Sequence, residues 1–463
     1  MGLACITLRH ASSGWGGGRA GARPRVPMNG NPAFLFRMPA LAALALLLAG
    51  DALGGPLRYG LAQSGLLAIA YLPILVAALV VCGYAAAQGA CLRADRTAIA
   101  IGLVVAFYLP YALWLGRAPL QVAFGTYTFM PLFLGMVTVA TGGSGAALVL
   151  VAALWWGAVP GVLASAVIDL PWVGASYEIL GVKAQFARAW SAFGHQRLPG
   201  LSRASFTAAN QIAAACALLL VGRFAFRAKV GIWGLSLAAV WLTTSKAPLV
   251  AVAVLPLAIL LHDRAARSTE ARHRGDQWVL AGLLFVVVAL PLAAWLGLRI
   301  PAMGHLGFLS LGSLGLRMVS MWPGALALLD PPWPRLFLGL GFGGIGSGQA
   351  YFDPARYSAA DNLFVFLLVT FGLASLLLVA VVLRGNRELA FRAPALARRF
   401  HVVAVVVLII GMMSNVVESV VPALLLGMLA GKALDPWAVT AEAAPLRLQA
   451  ARAGPAAPLA VRV

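Results

Sequence analysis

Long apolar runs recur along the chain, and short stretches holding most of the arginines separate them. A helix needs roughly 20 apolar residues to cross the hydrocarbon of a bilayer. The runs predict helices at roughly 34–51, 64–88, 97–115, 121–140, 145–167, 206–222, 229–244, 247–262, 278–297, 361–383, 401–417 and 419–433. The expected fold is all-α: a polytopic transmembrane helical bundle of about 12 spans with no soluble domain of its own. It occupies residues 34–433, with long segments between helices at about 168–205 and 298–360, the second partly helical. Residues 1–33 are expected to be a disordered leader, or to reflect a start placed too far upstream, with Met28 as the alternative first residue. Residues 434–463 form a tail.

The charges test this pattern. With these spans, Arg23, Arg25 and Arg37, then Arg93 and Arg96, then Arg223, Arg227 and Lys229, all fall on one side of the membrane. So do Arg264, Arg267, Arg272 and Arg274, and later Arg384, Arg387, Arg392, Arg398 and Arg399. Short cytoplasmic loops carry an excess of Lys and Arg, so this side is cytoplasmic, and both termini share it. One missed or extra helix would flip every later loop. The two long segments land on the outer side and carry cations against that bias: Lys183, Arg188, Arg197 and Arg203 in one, and Arg299, Arg317, Arg335 and Arg356 in the other. Cations held outside point to an anionic ligand there.

Composition removes the soluble alternatives. Of 463 residues, 62% are hydrophobic and 10% charged, where a soluble domain carries about 25% charged residues. The formal net charge of +20 sits in loops that orient the protein in the bilayer, so no nucleic-acid partner is expected. Cys5, Cys82, Cys91 and Cys216 are scattered, without the spacing of a disulfide framework or a metal site.

Three separated stretches carry candidate chemistry. The first is Arg197-Leu-Pro-Gly200, followed by Ser202-Arg203 and then Asn210 in an apolar helix. The second is Leu242-Thr-Thr-Ser245-Lys246, at an outer junction between two helices. The third runs from Arg317 and Trp322 through Gly339-Leu-Gly341-Phe-Gly343 to Asp361-Asn362 and Gly372-Leu.

This ordered set, covering about residues 190–385, resembles the O-antigen ligase and O-antigen/exopolysaccharide polymerase superfamily of bacterial inner membranes. The resemblance implies a multi-pass inner-membrane glycosyltransferase, both termini cytoplasmic, whose donor is an oligosaccharide on undecaprenyl diphosphate. It implies partners in the bilayer, in that lipid-linked oligosaccharide, and in chain-length-regulating and export proteins. No cofactor and no metal is implied. Arg197, Arg203, Lys246 and Arg317 are expected to grip the diphosphate at the periplasmic face. Arginine forks suit it because they stay protonated and bond phosphate oxygens in pairs. Lys246 stands where the family usually has arginine, and supplies a point charge in place of a fork. Asp361 is expected to orient or deprotonate the acceptor hydroxyl, with Asn362 assisting. Ligases of the family place a histidine at the Asp361 position, and polymerase-like members often place aspartate there. The expectation is therefore a polymerase joining lipid-linked repeat units.

Plainer readings stand beside these. Asp361-Asn362 is also what helix capping prefers. The glycines of residues 339–346 also suit a plain turn, and Arg197 and Arg203 also suit an interfacial position. Glu418, between two closely spaced helices, reads as a functional acid or as a surface turn residue. The alternative functions are a ligase moving a finished glycan onto lipid A-core or protein, and a transporter or lipid-glycan flippase. The flippase reading is expected to show charges in mid-membrane and two similar halves, and the sequence suggests neither.

Overall fold

A computed structural model of the protein describes residues 35–90, 95–179, 182–192, 194–264, 268–299, 311–330, 332–377, 380 and 393–435. The expected leader, most of the tail, and Arg93, Arg267, Arg384, Arg387 and Arg392 lie outside the described residues.

The chain is mostly helical. In order, the principal helices are α1 Arg37–Ala52, α2 Gly54–Gln63, α3 Leu72–Ala90, α4 Arg96–Trp114, α5 Pro119–Ala140, α6 Ser144–Ala153, α7 Trp155–Ala164, α8 Ser205–Leu220, α9 Phe226–Leu242, α10 Lys246–Arg264 and α11 Thr269–Trp295. Short helices α12 Gly312–Leu316, α13 Trp322–Ala327, α14 Pro332–Leu338 and α15 Ser347–Phe352 follow. Then come α16 Leu363–Phe371, α17 Pro394–Gly411 and α18 Val420–Leu434. Among the described residues, seven helical stretches are long and apolar enough to cross a membrane, α6 and α7 counting as one. The number rises to eight if α1 and α2, bent by 84°, count as one broken span.

Burial divides the helices into a centre and a rim. At the centre, α5 and α18 meet through small residues. A Cβ on Gly427 or Gly431 would collide with the backbone of Leu132 or Met136, and one on Gly135 with the carbonyl of Leu424. Small residues let helices approach this closely where lipid supplies no hydrophobic drive between them. Most of α8, α16 and α17 is buried too. The rim helices α3, α4, α10 and α11 turn apolar side chains outward, among them Leu79, Leu103, Leu257 and Phe285. Such a surface suits hydrocarbon rather than water. Hydroxyls inside the helices fold back onto carbonyls one turn earlier, as Thr138 does to Leu134 and Thr370 to Phe366.

Some elements differ from the expected ones. Helix α11 starts at Thr269 rather than near 278, because Ser268 caps it by accepting from the Ala271 N–H. The chain turns sharply after Ala52, so residues 54–63 lie across the end of the bundle rather than in a loop. The 168–205 segment holds two antiparallel hairpins, β1 Ser176–Ile179 with β2 Val182–Gln185, and β3 Ser191–Ala192 with β4 His195–Gln196. The described parts of both long segments lie at one end of the bundle, hereafter the loop end.

Candidate functional site

The β3–β4 hairpin begins the site. Ser191 pairs with Gln196, so the next residues outward, Trp190 and Arg197, are neighbours, joined by the Arg197 N–H donating to the Trp190 carbonyl at 3.0 Å. Side chains of opposed residues share a face of the ribbon. The Arg197 guanidinium accordingly lies 3.8 Å from the centroid of the Trp190 ring, and that of Arg188 lies 4.4 Å from it. One indole thus gathers two cations through its electron-rich faces.

Arg197 reaches from there to the junction of α9 and α10. Its Nε donates to the Thr243 carbonyl (3.3 Å), and Nη2 donates to the Thr244 carbonyl (3.4 Å) and to Ser245 Oγ (3.3 Å). Lys246 opens α10 one residue later, within electrostatic reach of both Arg197 and Arg317. Burial, with Arg188 and Arg317 beside it, pushes the Arg197 guanidinium down to about 10.

Arg317 comes from the third segment, at the start of a π-helical turn, Arg317–Met321, between α12 and α13. Such turns recur at functional sites. Its Nη1 donates to the Ser313 carbonyl (2.9 Å) and its Nη2 to Asp361 Oδ2 (2.8 Å). The buried Trp322 donates its indole N–H to the Asp361 carbonyl at 3.4 Å. Arg317 and Trp322 thus hold Asp361 from both sides.

Backbone strain marks the same place. Among the described residues, two non-glycine residues have positive φ: Thr244 at 52° and Asp361 at 41°. For a β-branched threonine this is a genuine outlier. Such conformations cost on the order of 1–3 kcal/mol and persist where the surroundings impose them. One lies under Arg197 and the other under Arg317.

Two expected roles need correction. Asn362 is fully buried, and its side chain is committed to backbone. Its Nδ2 donates to the carbonyls of Val287 and Met412, both at 3.0 Å, and its Oδ1 accepts from the Val365 N–H at 3.0 Å. It caps α16 and ties that helix to α11 and the end of α17, leaving no polar atom for a sugar. The capping alternative is the right one at this position. Arg203 also parts from the others. Its stem lies against Gly54, where an added Cβ would sit 2.8 Å from its Cγ. Its charge acts on Asp51, which Arg58 also faces.

The glycine turn of residues 339–346 is a seat for the third segment rather than a ligand cradle. The Leu340 and Gly341 amides donate to the Val369 and Thr370 carbonyls (2.8 and 2.9 Å). The Gly339 carbonyl accepts from Tyr111, and that of Gly343 from Gln121. Gly343, at φ 76°, presses so closely on the Gln121 carbonyl that no side chain fits. Just beyond, Glu418 accepts from Ser347 Oγ at 2.6 Å and from the Ser347 N–H. Tyr357 lies near Glu418, Asp361 and Arg188; burial first, then those carboxylates, raise its phenol above the ordinary value. Arg335 donates to the Asp330 carbonyl, and its charge and that of Arg356 act on Arg117. Behind the hairpin a cavity of about 430 Å³ opens, lined in part by Asp169, Gln196, Trp241 and Thr244.

The structure thus brings Arg197, Lys246, Arg317 and Asp361 together, raises Arg188 from one outer cation among several to a member of the group, and adds Trp190 and Tyr357. The available signal was Arg188-x-Trp190, seven residues before Arg197 in a segment of outer cations.

Among the described residues one grouping has metal-ligand composition. It is His262, Asp276 and His401, at the opposite end of the bundle, with one donor atom from each lying within 4.8 Å of the others. Fully buried Lys432 acts electrostatically on His401 and feels Asp276. One carboxylate would have to offset both this ammonium and a dication. The donor set therefore fits an ion cluster better than a metal centre. The chain matches no family model, no curated protein and no solved structure.

Proposed function

We propose that the protein is a polysaccharide polymerase of the bacterial inner membrane. It would join oligosaccharide repeat units carried on undecaprenyl diphosphate, with twelve helical passes and the loop end facing the periplasm. The observation that carries this reading is the convergence of Arg197, Lys246 and Arg317 from three separated segments around strained Thr244 and Asp361. An accumulation of cations with one carboxylate in contact is suited to an anion heavier in charge than a single carboxylate.

In this reading the donor diphosphate takes the guanidinium forks of Arg197 and Arg317 and the ammonium of Lys246. The bond from the anomeric carbon to the diphosphate oxygen breaks, and its electron pair leaves on the diphosphate. The cations stabilise that growing charge in a partly dehydrated setting. The acceptor hydroxyl forms the new bond to the anomeric carbon and passes its proton to Asp361. Before substrate arrives, Arg317 holds the Asp361 carboxylate in a charge-assisted bond of 2.8 Å. When phosphate oxygens compete for the same fork, Asp361 is released to accept a proton. The chain's own residues carry this step without a metal. The cavity behind the hairpin, whose lining includes Trp241, Asp169 and Gln196, suits a sugar of the donor.

Replacement of Arg317 by alanine tests the reading. Arg317→Ala is expected to abolish polymer in cells, while the protein still inserts and melts at nearly the wild-type temperature. Normal polymer from this variant removes the mechanism. Product analysis separates the two transferases. Single repeats without long chains in the null strain fit a polymerase; full-length chains stranded on the lipid carrier fit a ligase.

A further inference from the structure

We propose that Arg58 and Arg203 form a second anion site at the loop end, which takes the diphosphate of a lipid-linked acceptor while Arg197, Lys246 and Arg317 hold that of the donor. The proposal rests on the glycosyl-transfer reading and names the acceptor's class.

Local structure builds the site. The 84° break between α1 and α2 lays Gly54–Gln63 across the end of the bundle. The Gly55 N–H fixes that crossing by donating to the Leu201 carbonyl at 2.9 Å. Gly54 leaves the room that the Arg203 stem fills. One turn along α2, Arg58 is carried to the same place. It is 8% exposed, its Nη1 donates to Tyr177 Oη at 3.3 Å, and its guanidinium lies 5.3 Å from the Tyr71 ring centroid. Both arginines act electrostatically on Asp51, Tyr71 and Tyr127.

The two charges share one nearby acid, Asp51. Among the described residues no carboxylate is in ion-pair contact with Arg58 or Arg203. Asp51, the nearest acid, is engaged by Gln211, whose Nε2 donates to it at 2.7 Å and whose Oε1 accepts from Ser202. Arg203 Nε is buried with no hydrogen-bond partner. The buried Arg58 and the partly buried Arg203 thus share the charge of one carboxylate, which leaves a positive surplus for an anion to complete.

The two sites are close but distinct. Trp190 carries Arg188 and Arg197 on its ring and donates its indole N–H to Ser205 Oγ at 3.3 Å. The Arg188 N–H donates to the Arg203 carbonyl at 2.8 Å. One indole and one backbone bond therefore lie between the donor cations and the second pair. A polymerase joins two substrates that each end in a lipid diphosphate, and two anion sites on one face meet that need. In the transfer, the acceptor's diphosphate keeps all its bonds and only anchors, through its reducing end, the oligosaccharide whose hydroxyl attacks. The same phosphate chemistry is offered by an ordinary anionic phospholipid headgroup.

Calorimetric titration of inorganic pyrophosphate into the full chain, held in phosphatidylcholine nanodiscs, tests the proposal. Two bound per chain are expected in wild type, one in Arg58→Gln/Arg203→Gln, and one in Arg197→Gln/Arg317→Gln. Arg58→Lys, which keeps the charge, is expected to retain two, and Asp51→Asn to tighten the second site severalfold. One per chain in wild type, or two in Arg58→Gln/Arg203→Gln, overturns the second site and leaves the donor reading standing. No binding that depends on Arg197 and Arg317 overturns the donor reading itself. Repetition in phosphatidylglycerol nanodiscs separates the sources: two sites kept supports the acceptor, whereas loss of the Arg58–Arg203 site alone assigns it to the phospholipid and overturns the proposal. With lipid-linked repeats as substrate, Arg58→Gln/Arg203→Gln is expected to raise KM at least tenfold with kcat within threefold. A wild-type KM overturns the acceptor assignment.

Discussion

At the loop end, Arg188, Arg197, Lys246 and Arg317 crowd together, and Asp361 is the one carboxylate seen in contact with Arg317. At the other end, Asp276 lies between His262, 2.8 Å away, and His401, 3.5 Å away, with Lys432 beside it. The second group is almost wholly buried, and it ties α10, α11, α17 and α18 into one unit. Its charges are matched internally and its backbone is ordinary helix. The first group is partly open, has an excess of positive charge, and rests on two strained residues. Buried charge that is internally balanced holds helices together; charge left in surplus at an open, strained surface waits for a ligand.

The largest effect that sharpens this contrast belongs to Asp361. Asp361→Asn is expected to lower kcat by about 10²–10⁴-fold, the range for losing a positioned proton acceptor. Asp361→Gly separates carboxylate from strain. Glycine accepts φ 41° without cost, so the variant is expected to fold as well as wild type or about 1 kcal/mol better, yet to be as inactive as Asp361→Asn. Activity near wild type in Asp361→Gly would mean that only the turn matters.

The next effect runs the other way. Asp276→Asn strips the opposite cluster of its acid and leaves Lys432 buried beside two imidazoles. A loss of about 3–5 kcal/mol in stability is expected, the range for breaking a buried pair from one side. Turnover per folded molecule is expected to stay within about threefold, because the site is at the other end of the bundle. Thermal unfolding in detergent and single-turnover kinetics read the two quantities. Unchanged stability with lost turnover would reverse the roles assigned to the two ends.

Much of this contrast can be read from sequence, and the rest is hidden for identifiable reasons. The apolar runs give the helices because lipid imposes a length. Sidedness gives the loop end because Arg and Lys concentrate in the other loops. Arg197, Lys246 and Arg317 each fall in a segment or junction on the expected outer side, which puts them at one end of the bundle; their meeting depends on the hairpin and the π-helical turn, which the apolar pattern does not show. Arg58 is hidden because Gly54-Gly55-Pro56 turns the chain sideways, and the sequence reads as an unremarked stretch between two runs. The Arg188–Trp190 stack depends on a hairpin with two-residue strands, too short to show alternation. The ion cluster is hidden because His262, Asp276, His401 and Lys432 lie on four helices and meet only on packing. Asn362 was legible both ways, and only its three backbone partners decide for capping.

The smallest effect compares two lysines. Lys246 lies among cations at the mouth of α10, where an added guanidinium has solvent to extend into and phosphate oxygens to meet in pairs. Lys246→Arg is expected to tighten pyrophosphate about threefold with kcat unchanged, and Lys246→Gln to loosen it about tenfold. Lys432 is fully buried, with its ammonium 4.8 Å from the centroid of the Phe400 ring. A planar guanidinium there must displace packed side chains, so Lys432→Arg is expected to cost about 1–3 kcal/mol of stability. The same chemical change thus helps ligand binding at one end and harms packing at the other. If both substitutions leave both quantities untouched, the two lysines sit in equivalent surroundings, and the division between an open anion site and a closed structural cluster fails.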